Sequence, residues 1–340
     1  VTVTRLVSGL NTPWAVAPLP GGGALITEKG GRLLHFDDAW ESRTISGLPE
    51  IAVTGQGGLL DVELARDFAE TGRLYITYAA PGRGGYRTEM ASAVLTPSAD
   101  RLGDVEILFR QEPVLSGGRH FGSRVLERED GTLMVTTGDR GDRPRAQDLD
   151  GHVGKVVRVA ADGSAPADNP FAGRSDVLPE IWSIGHRNIQ GADLDEEGRL
   201  WTLSHGARGG DEINLAEPGL NYGWPVISYG THYSGAKIGE GTEKAGMEQP
   251  KWYWDPSIAP SGLLVYSGTL FPEWQGDLFA GALKFDYIAR LDREGDRLTG
   301  EEPLFRDTYS RIRDVVEAPD GAIWFLAVGD GGLYRIAPAD

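Results

Sequence analysis

Apolar and polar residues alternate in short runs along the chain, and Gly, Pro and Asp close most of those runs. Sustained helical periodicity is hard to find, so the pattern predicts an all-β protein of short strands. One motif recurs: a turn ending in glycine, a small or polar residue, then an apolar strand. It reads Gly23-Ala24-Leu25-Ile26-Thr27, Gly72-Arg73-Leu74-Tyr75-Ile76-Thr77, Gly131-Thr132-Leu133-Met134-Val135-Thr136, Gly198-Arg199-Leu200-Trp201-Thr202, Gly276-Asp277-Leu278-Phe279-Ala280 and Gly321-Ala322-Ile323-Trp324-Phe325. The six copies stand roughly 45 to 80 residues apart, a spacing that suits propeller blades of about 40–50 residues plus loops. The expectation is one domain over residues 1–340, a six-bladed β-propeller of four-stranded antiparallel blades.

Several copies run on into another strand after a tight turn, as in Glu28-Lys29-Gly30-Gly31-Arg32 and Asp330-Gly331-Gly332-Leu333, which predicts hairpins within blades. The widest gap between copies holds residues 227–255, with Tyr229, Tyr233, Trp252, Tyr253 and Trp254. An insertion of that length is mobile or functional. Its aromatics suit either packing on the propeller rim or stacking on a sugar ring.

Composition narrows the function. The 48 glycines and 20 prolines punctuate apolar runs, as in a turn-rich globular chain. A net charge of -17 argues against nucleic acid, so any anionic ligand must meet a local basic cluster. Cysteine is absent, which removes disulfides and thiolate chemistry, and no apolar run is long enough to span a membrane. The chain opens at Val1 without a charged leader or apolar signal core, as a mature chain does after leader removal. A monomer is expected.

Residues just ahead of the repeats should converge on one mouth of the central channel, because the innermost strand of each blade flanks that channel. Those segments include Gly55-Gln56-Gly57-Gly58, Arg119-His120-Phe121-Gly122, Gly185-His186-Arg187-Asn188 and Arg311-Ile312-Arg313-Asp314. The repeat strands end there too, in Thr137-Gly138-Asp139, Ser204-His205-Gly206 and Leu283-Lys284. Arg187, Lys284, Arg311 and Arg313 would then approach one another, and like charges drawn from water need an anion. Guanidinium forks match carboxylates, so the implied ligand is a flat polyanion. The alternative pairs Arg311 and Arg313 with Asp314, Asp307 or Glu317 on a blade surface.

His120 shares this mouth, and Asp139 could fix its tautomer and leave the other ring nitrogen as a base. The stretch Ser204-His205-Gly206-Ala207-Arg208-Gly209-Gly210-Asp211-Glu212-Ile213-Asn214 offers carbonyls and carboxylates, hard oxygen donors that suit calcium. A glycine-rich loop between two strands is the plainer reading.

Taken in order, Gly55-Gln56-Gly57-Gly58-Leu59-Leu60-Asp61, Gly118-Arg119-His120-Phe121-Gly122-Ser123-Arg124, Gly185-His186-Arg187-Asn188, Gly210-Asp211-Glu212-Ile213-Asn214, Asn221-Tyr222-Gly223-Trp224-Pro225 and Arg311-Ile312-Arg313-Asp314-Val315 resemble the soluble glucose and aldose sugar dehydrogenases that depend on pyrroloquinoline quinone (PQQ). The match runs from about Leu10 to Pro338. The resemblance implies a six-bladed propeller with PQQ lying flat on the channel mouth. It assigns cofactor contacts to Gln56, His120, Arg187, Asn188, Lys284, Arg311 and Arg313. His120 becomes the general base, Asp139 its orienting carboxylate, and Arg187 a second catalytic group. Calcium beside PQQ takes the carbonyls of Gly206 and Ala207, and a second, structural ion lies near Glu212 and the Tyr222 carbonyl.

Two positions depart from the glucose enzyme's pattern. Ala207 stands where that enzyme has proline, which a carbonyl ligand tolerates. Ile258 stands where a threonine contacts the cofactor, a loss of about 0.5–1.5 kcal/mol beside four cationic contacts. By resemblance, an aldose is oxidised at C1 to an aldonolactone with hydride transfer to PQQ, and electrons pass to an unidentified acceptor outside the cytoplasm. Two rivals stay open: a calcium-dependent lactonase, which needs carboxylates and amides ringing one axial metal, and a non-catalytic carbohydrate-binding propeller using Trp252-Tyr253-Trp254.

Overall fold

The structure, a computed structural model, describes residues 1–339. Six four-stranded antiparallel sheets form the ring of a six-bladed β-propeller. The first blade runs outward through Pro13–Pro18, Ala24–Glu28, Arg32–Phe36 and Ser42–Ile45. The next four begin at Leu59–Leu64, Val125–Glu127, Ile189–Leu194 and Pro260–Val265 and are built from consecutive strands in the same way. The last blade takes Ile312–Glu317, Ile323–Ala327 and Gly332–Ala337 from the end of the chain and Thr2–Val7 from its start. Pairing of Val3 with Ile336 therefore latches the ring shut without a covalent link.

Each glycine-led repeat is the second strand of its blade, where both faces pack against neighbouring blades. That burial explains continuous apolar runs in place of alternation: Ala24–Glu28, Leu200–Ser204, Leu278–Ala282 and Ile323–Ala327 are buried at every position. Outer strands such as Arg297–Leu304 mix exposed and buried positions because one face meets water.

Register brings the first strand's start against the second strand's end, as in Pro13 opposite Glu28, Ile189 opposite Ser204 and Pro260 opposite Ala282. The polar ends singled out in the sequence consequently share one mouth. In five of the six blades the pairing of these two strands shifts register, and bulges of this kind re-aim side chains. Trp14, Gln190 and Arg313 are skipped residues at three of these shifts. They meet: Arg313 Nη1 donates to Gln190 Oε1 at 3.1 Å, and its guanidinium lies 5.0 Å from the Trp14 ring centroid.

Below them, Arg124 Nη1 and Nη2 bridge Asp61 at 3.0 Å and Asp314 at 2.7 Å across the channel. Beyond that bridge the channel widens into a cavity of about 490 Å³ that includes Glu63, Asp193 and Glu317 in its wall. Among the described residues, no helix is long and apolar enough to cross a membrane.

Candidate functional site

His120 sits in the segment leading into Val125–Glu127 with φ 55, a left-handed conformation that costs a non-glycine residue energy. Its surroundings enforce the shape. The His120 backbone N–H donates to Gln56 Oε1 at 2.7 Å, and Asn188 Oδ1 accepts the Gly122 N–H at 3.1 Å. Arg140 donates to the carbonyls of Arg119, Tyr86 and Gly117 at 2.7–2.9 Å and lies 3.7 Å over the Phe121 ring. A Cβ at position 138 would fall 2.0 Å from the His120 carbonyl, so Gly138 allows the close approach.

His120 Nδ1 lies 2.6 Å from Asp139 Oδ1, and the Asp139 side chain is fully buried. The same carboxylate accepts the Gly141 N–H at 2.8 Å on Oδ1 and the Trp224 indole N–H at 2.8 Å on Oδ2. Burial alone would raise the Asp139 pKa, but hydrogen bonds and nearby positive charge hold it below the ordinary value. For His120 burial dominates and lowers the pKa, Asp139 opposes it, and Arg187 adds to the lowering. The arrangement is a neutral imidazole held by an ionised carboxylate.

Three of the predicted cations, Arg187, Arg311 and Arg313, gather here, and two of the carboxylates expected as partners are engaged elsewhere. Asp314 bonds Arg124, and Glu317 accepts the backbone N–H groups of Ser267 and Gly268. Arg187, 7% exposed, reaches only the His205 carbonyl at 3.3 Å, and its buried Nε has no partner among the described residues. Arg311 Nη1 reaches the Leu283 carbonyl at 3.3 Å, and Lys284 Nζ lies 4.5 Å from the Phe285 ring centroid. Burial, with Arg124 nearby, pulls Arg313 down to about 9. Buried His205 falls to about 3 through burial and the charges of Arg187 and Arg313, which places it among both arginines. An uncompensated basic pocket with an orphaned guanidinium nitrogen fits a bound carboxylate-bearing anion.

The Gly206–Ala207 turn is organised by Asp211, which accepts from Gly206 N at 2.8 Å, Ile258 N at 2.8 Å and Ser257 Oγ at 3.0 Å. Neither the Gly206 nor the Ala207 carbonyl accepts a backbone hydrogen bond of ordinary geometry among the described residues. Both oxygens remain available to a hard cation. Ile258 is buried, and its backbone N–H is committed to Asp211.

Behind this turn, Glu212, Asn214 and Tyr222 line a cavity of about 20 Å³, room for one water-sized particle. Asn214 Nδ2 donates to Glu212 Oε2 at 3.3 Å, while its buried Oδ1 has no partner among the described residues. Burial pushes Glu212 up to about 7, with Asp211 adding to the rise. Among the described residues, no three His, Cys, Asp or Glu side chains gather into a metal cluster, so a cation here would draw on one carboxylate plus amide and carbonyl oxygens. The orphaned Asn214 oxygen and the raised carboxyl both fit such an ion.

The aromatic insertion divides between the two readings. Trp252–Trp254 is the fourth strand of its blade, with Trp254 buried and bonded to Glu301. Tyr229 and Tyr253 stack on each other at 4.1 Å, and Tyr233 stands 73% exposed.

Sequence reasoning did not assign Trp224, Arg140 or His205. Trp224 stood in view within a named motif, but its bond spans 85 positions to Asp139, and no local pattern announces that. Arg140 follows Asp139 directly and looks like a surface charge until its carbonyl contacts are seen.

Fold and mouth together define a class: a six-bladed propeller whose basic channel mouth carries a carboxylate-bound histidine. Comparison with known proteins gives the family. The chain matches the glucose/sorbosone dehydrogenase family over residues 10–335 and belongs to it. It is 42% identical to an aldose sugar dehydrogenase (YliI) of Escherichia coli, an alignment covering 99% of this chain and 93% of that relative. A solved glucose dehydrogenase superposes with TM-score 0.97 at 42% identity over 100% of both chains. A PQQ-bound aldose sugar dehydrogenase from Streptomyces coelicolor superposes with TM-score 0.83 at 25% identity, over 98% of this chain and 97% of that one. The chain is an oxidoreductase acting on sugars.

Proposed function

We propose that the chain is a PQQ- and calcium-dependent dehydrogenase that oxidises aldoses at C1 to aldonolactones and passes electrons to an external acceptor. One observation carries this reading: among the described residues Arg187, Lys284, Arg311 and Arg313 have no carboxylate ion-pair partner, and Arg187 lies near a neutral His120 bound to Asp139. A PQQ-bound relative of the same fold supports it.

Those four cations, with Gln56 and Asn188, would hold the cofactor's carboxylates and carbonyls. Gly206 and Ala207 would offer carbonyls to the adjacent calcium, and Glu212 with the Tyr222 carbonyl would hold the structural ion. When bound, PQQ supplies a two-electron acceptor and calcium a Lewis acid. His120, with Nδ1 committed to Asp139, takes the anomeric hydroxyl proton on Nε2. Arg187 sets positive charge where negative charge develops. Asp139 keeps the imidazole in one tautomer throughout. Work outside the cytoplasm and a monomeric state complete the reading. A lactonase would need carboxylates and amides around one metal at this mouth, which instead presents Arg, Lys, His and Gln.

The test is to titrate cofactor-free protein with PQQ and calcium while following dye reduction with a panel of aldoses. Saturable, calcium-dependent turnover is expected, with His120→Ala keeping PQQ binding and losing turnover by about 100-fold or more. Failure to bind PQQ overturns the cofactor assignment; near-normal turnover of His120→Ala overturns the base.

A further inference from the structure

The chain between Asp139 and Lys155 leaves the third blade and returns to the same place, where Gly154 N donates to the Gly138 carbonyl at 3.0 Å and Thr137 N to the Lys155 carbonyl at 2.9 Å. Asp139 opens this loop and Lys155 closes it. Lys155 is fully buried, and its Nζ donates to the loop's own carbonyls, Arg145 at 2.9 Å, Ala146 at 3.0 Å and Val153 at 2.7 Å. All three bonds go to backbone oxygens and none to a carboxylate among the described residues.

Three acceptors around one nitrogen call for three N–H groups, which an ammonium has and a neutral amine lacks. Burial opposes the charge and lowers the Lys155 pKa, while Asp148 and Asp150 on the same loop work against that lowering. His186, buried on the facing segment, is itself lowered by burial and by the Lys155 charge. A buried cation without a counter-ion is costly, and an apolar side chain of the same length would avoid the cost. The charge therefore has to be explained by what it organises.

It organises the short turn Arg143–Gln147, which leans on Trp224 at three points. The Arg143 guanidinium lies 5.7 Å from the Trp224 ring centroid, Ala146 packs with Trp224 and Ala207, and Gln147 Nε2 donates to the Trp224 carbonyl at 2.7 Å. The Ala146 carbonyl held by Lys155 also accepts Gly185 N at 2.9 Å, and the Gly185 carbonyl accepts Trp224 N at 2.9 Å. Two residues on, the Arg187 carbonyl accepts Asp139 N at 2.7 Å. One ammonium thus stands behind both the indole that donates to Asp139 and the segment that carries Arg187.

We propose that Lys155 is a positioning residue for sugar oxidation, an internal cation whose three carbonyl bonds set Trp224 against Asp139 and fix the backbone beside Arg187. This rests on the roles proposed above for His120, Asp139 and Arg187. Loss of the charge leaves three buried carbonyls short of donors, so the turn shifts and Trp224 shifts with it.

The first measurement is made on cofactor-free wild type. The Trp224 indole N–H resonance, assigned by its loss in Trp224→Phe, is followed by NMR from about pH 7 to beyond the ordinary lysine value near 10.4. The Lys155 side-chain signal, distinguished among six lysines by its protection from solvent, is followed alongside. Both should move with one midpoint, below that ordinary value. The second measurement compares wild type with Lys155→Met, which keeps the stem and removes the charge, both loaded with PQQ and calcium and read by dye reduction with glucose. The variant's kcat should fall about tenfold, the scale of one hydrogen bond to a charged group, with KM changed by less than about twofold. The alkaline fall of kcat that follows Lys155 in wild type should be missing from it. A Trp224 resonance that ignores the Lys155 titration overturns the proposal even where Lys155→Met does not fold, and so does a folded variant that loses Tm and keeps kcat. If wild type oxidises no aldose while Trp224 still follows Lys155, the dehydrogenase reading fails and the placement of Trp224 by Lys155 stands.

Discussion

Trp224 donates its indole N–H to Asp139 Oδ2 at 2.8 Å, on the carboxylate whose Oδ1 meets His120 Nδ1 at 2.6 Å. The indole also lies 5.3 Å from the Arg187 guanidinium carbon, so one side chain touches both the carboxylate behind the base and a cation of the mouth. A buried carboxylate that loses one donor becomes easier to protonate, and its grip on the imidazole loosens.

Replacing Trp224 by Phe keeps the ring and removes the donor. The expected loss of turnover is about tenfold, corresponding to roughly 1–2 kcal/mol for a hydrogen bond to a charged group. The acid limb of the kcat/KM profile should move as well, because the Asp139 pKa rises when a donor is lost. A purely structural indole would lower Tm and leave that profile in place.

The acidic residues of the channel and of the small cavity give stability an uncommon pH dependence. Burial raises Asp193 to about 7, Glu212 to about 7 and Asp61 to about 6, against ordinary values near 4. For such groups the folded state takes up protons first, so stability rises as pH falls through the folded values. His186 and His205, buried and held near 3, work the other way, and stability is lost as pH falls below about 6.5. Metal-free protein should therefore show a higher Tm at pH 6.5 than at pH 8, and a falling Tm below about pH 4.5, where the carboxyl gain is complete. A Tm that climbs steadily from pH 6.5 to 8 would contradict the raised carboxyls.

Calcium should change that profile at Glu212. A divalent ion beside the carboxyl favours its charged form, so added calcium should raise Tm most at pH 8 and least near pH 5. At 100 times its dissociation constant a ligand adds about 2.7 kcal/mol. Glu212→Gln should abolish most of the calcium response of cofactor-free protein while leaving the fold intact. An undiminished response in that variant would move the structural ion elsewhere.

The blade count was legible because burial on both faces makes each second strand a continuous apolar run behind a glycine, and burial pattern is what sequence records best. Proximity of His120, Asp139 and Arg187 followed from register, since strand starts and ends share a mouth in antiparallel pairs. Bulges were not legible. Gln190 reads as an ordinary position of an alternating strand, and only the register shifts turn it and Trp14 toward Arg313. Trp224 stayed hidden for a related reason: long-range side-chain bonds leave no periodic trace.

Arg313 shows what the cluster costs when nothing is bound. It is partly buried, close enough to Arg124 and Arg311 to be disfavoured as a cation, and among the described residues its side chain bonds only the neutral Gln190. Arg313→Met would keep the aliphatic stem against Trp14 and remove the charge. In cofactor-free protein this should raise Tm by about 1–3 °C, because replacing an unpaired, desolvated cation by an apolar group of similar length relieves repulsion. The same variant should bind PQQ about 10-fold to 100-fold more weakly, the scale of one charge-assisted contact. Opposite signs in the two measurements are the signature of a residue retained for its ligand at the expense of the fold. A lower Tm in the free protein would show that Arg313 supports the channel even without an anion.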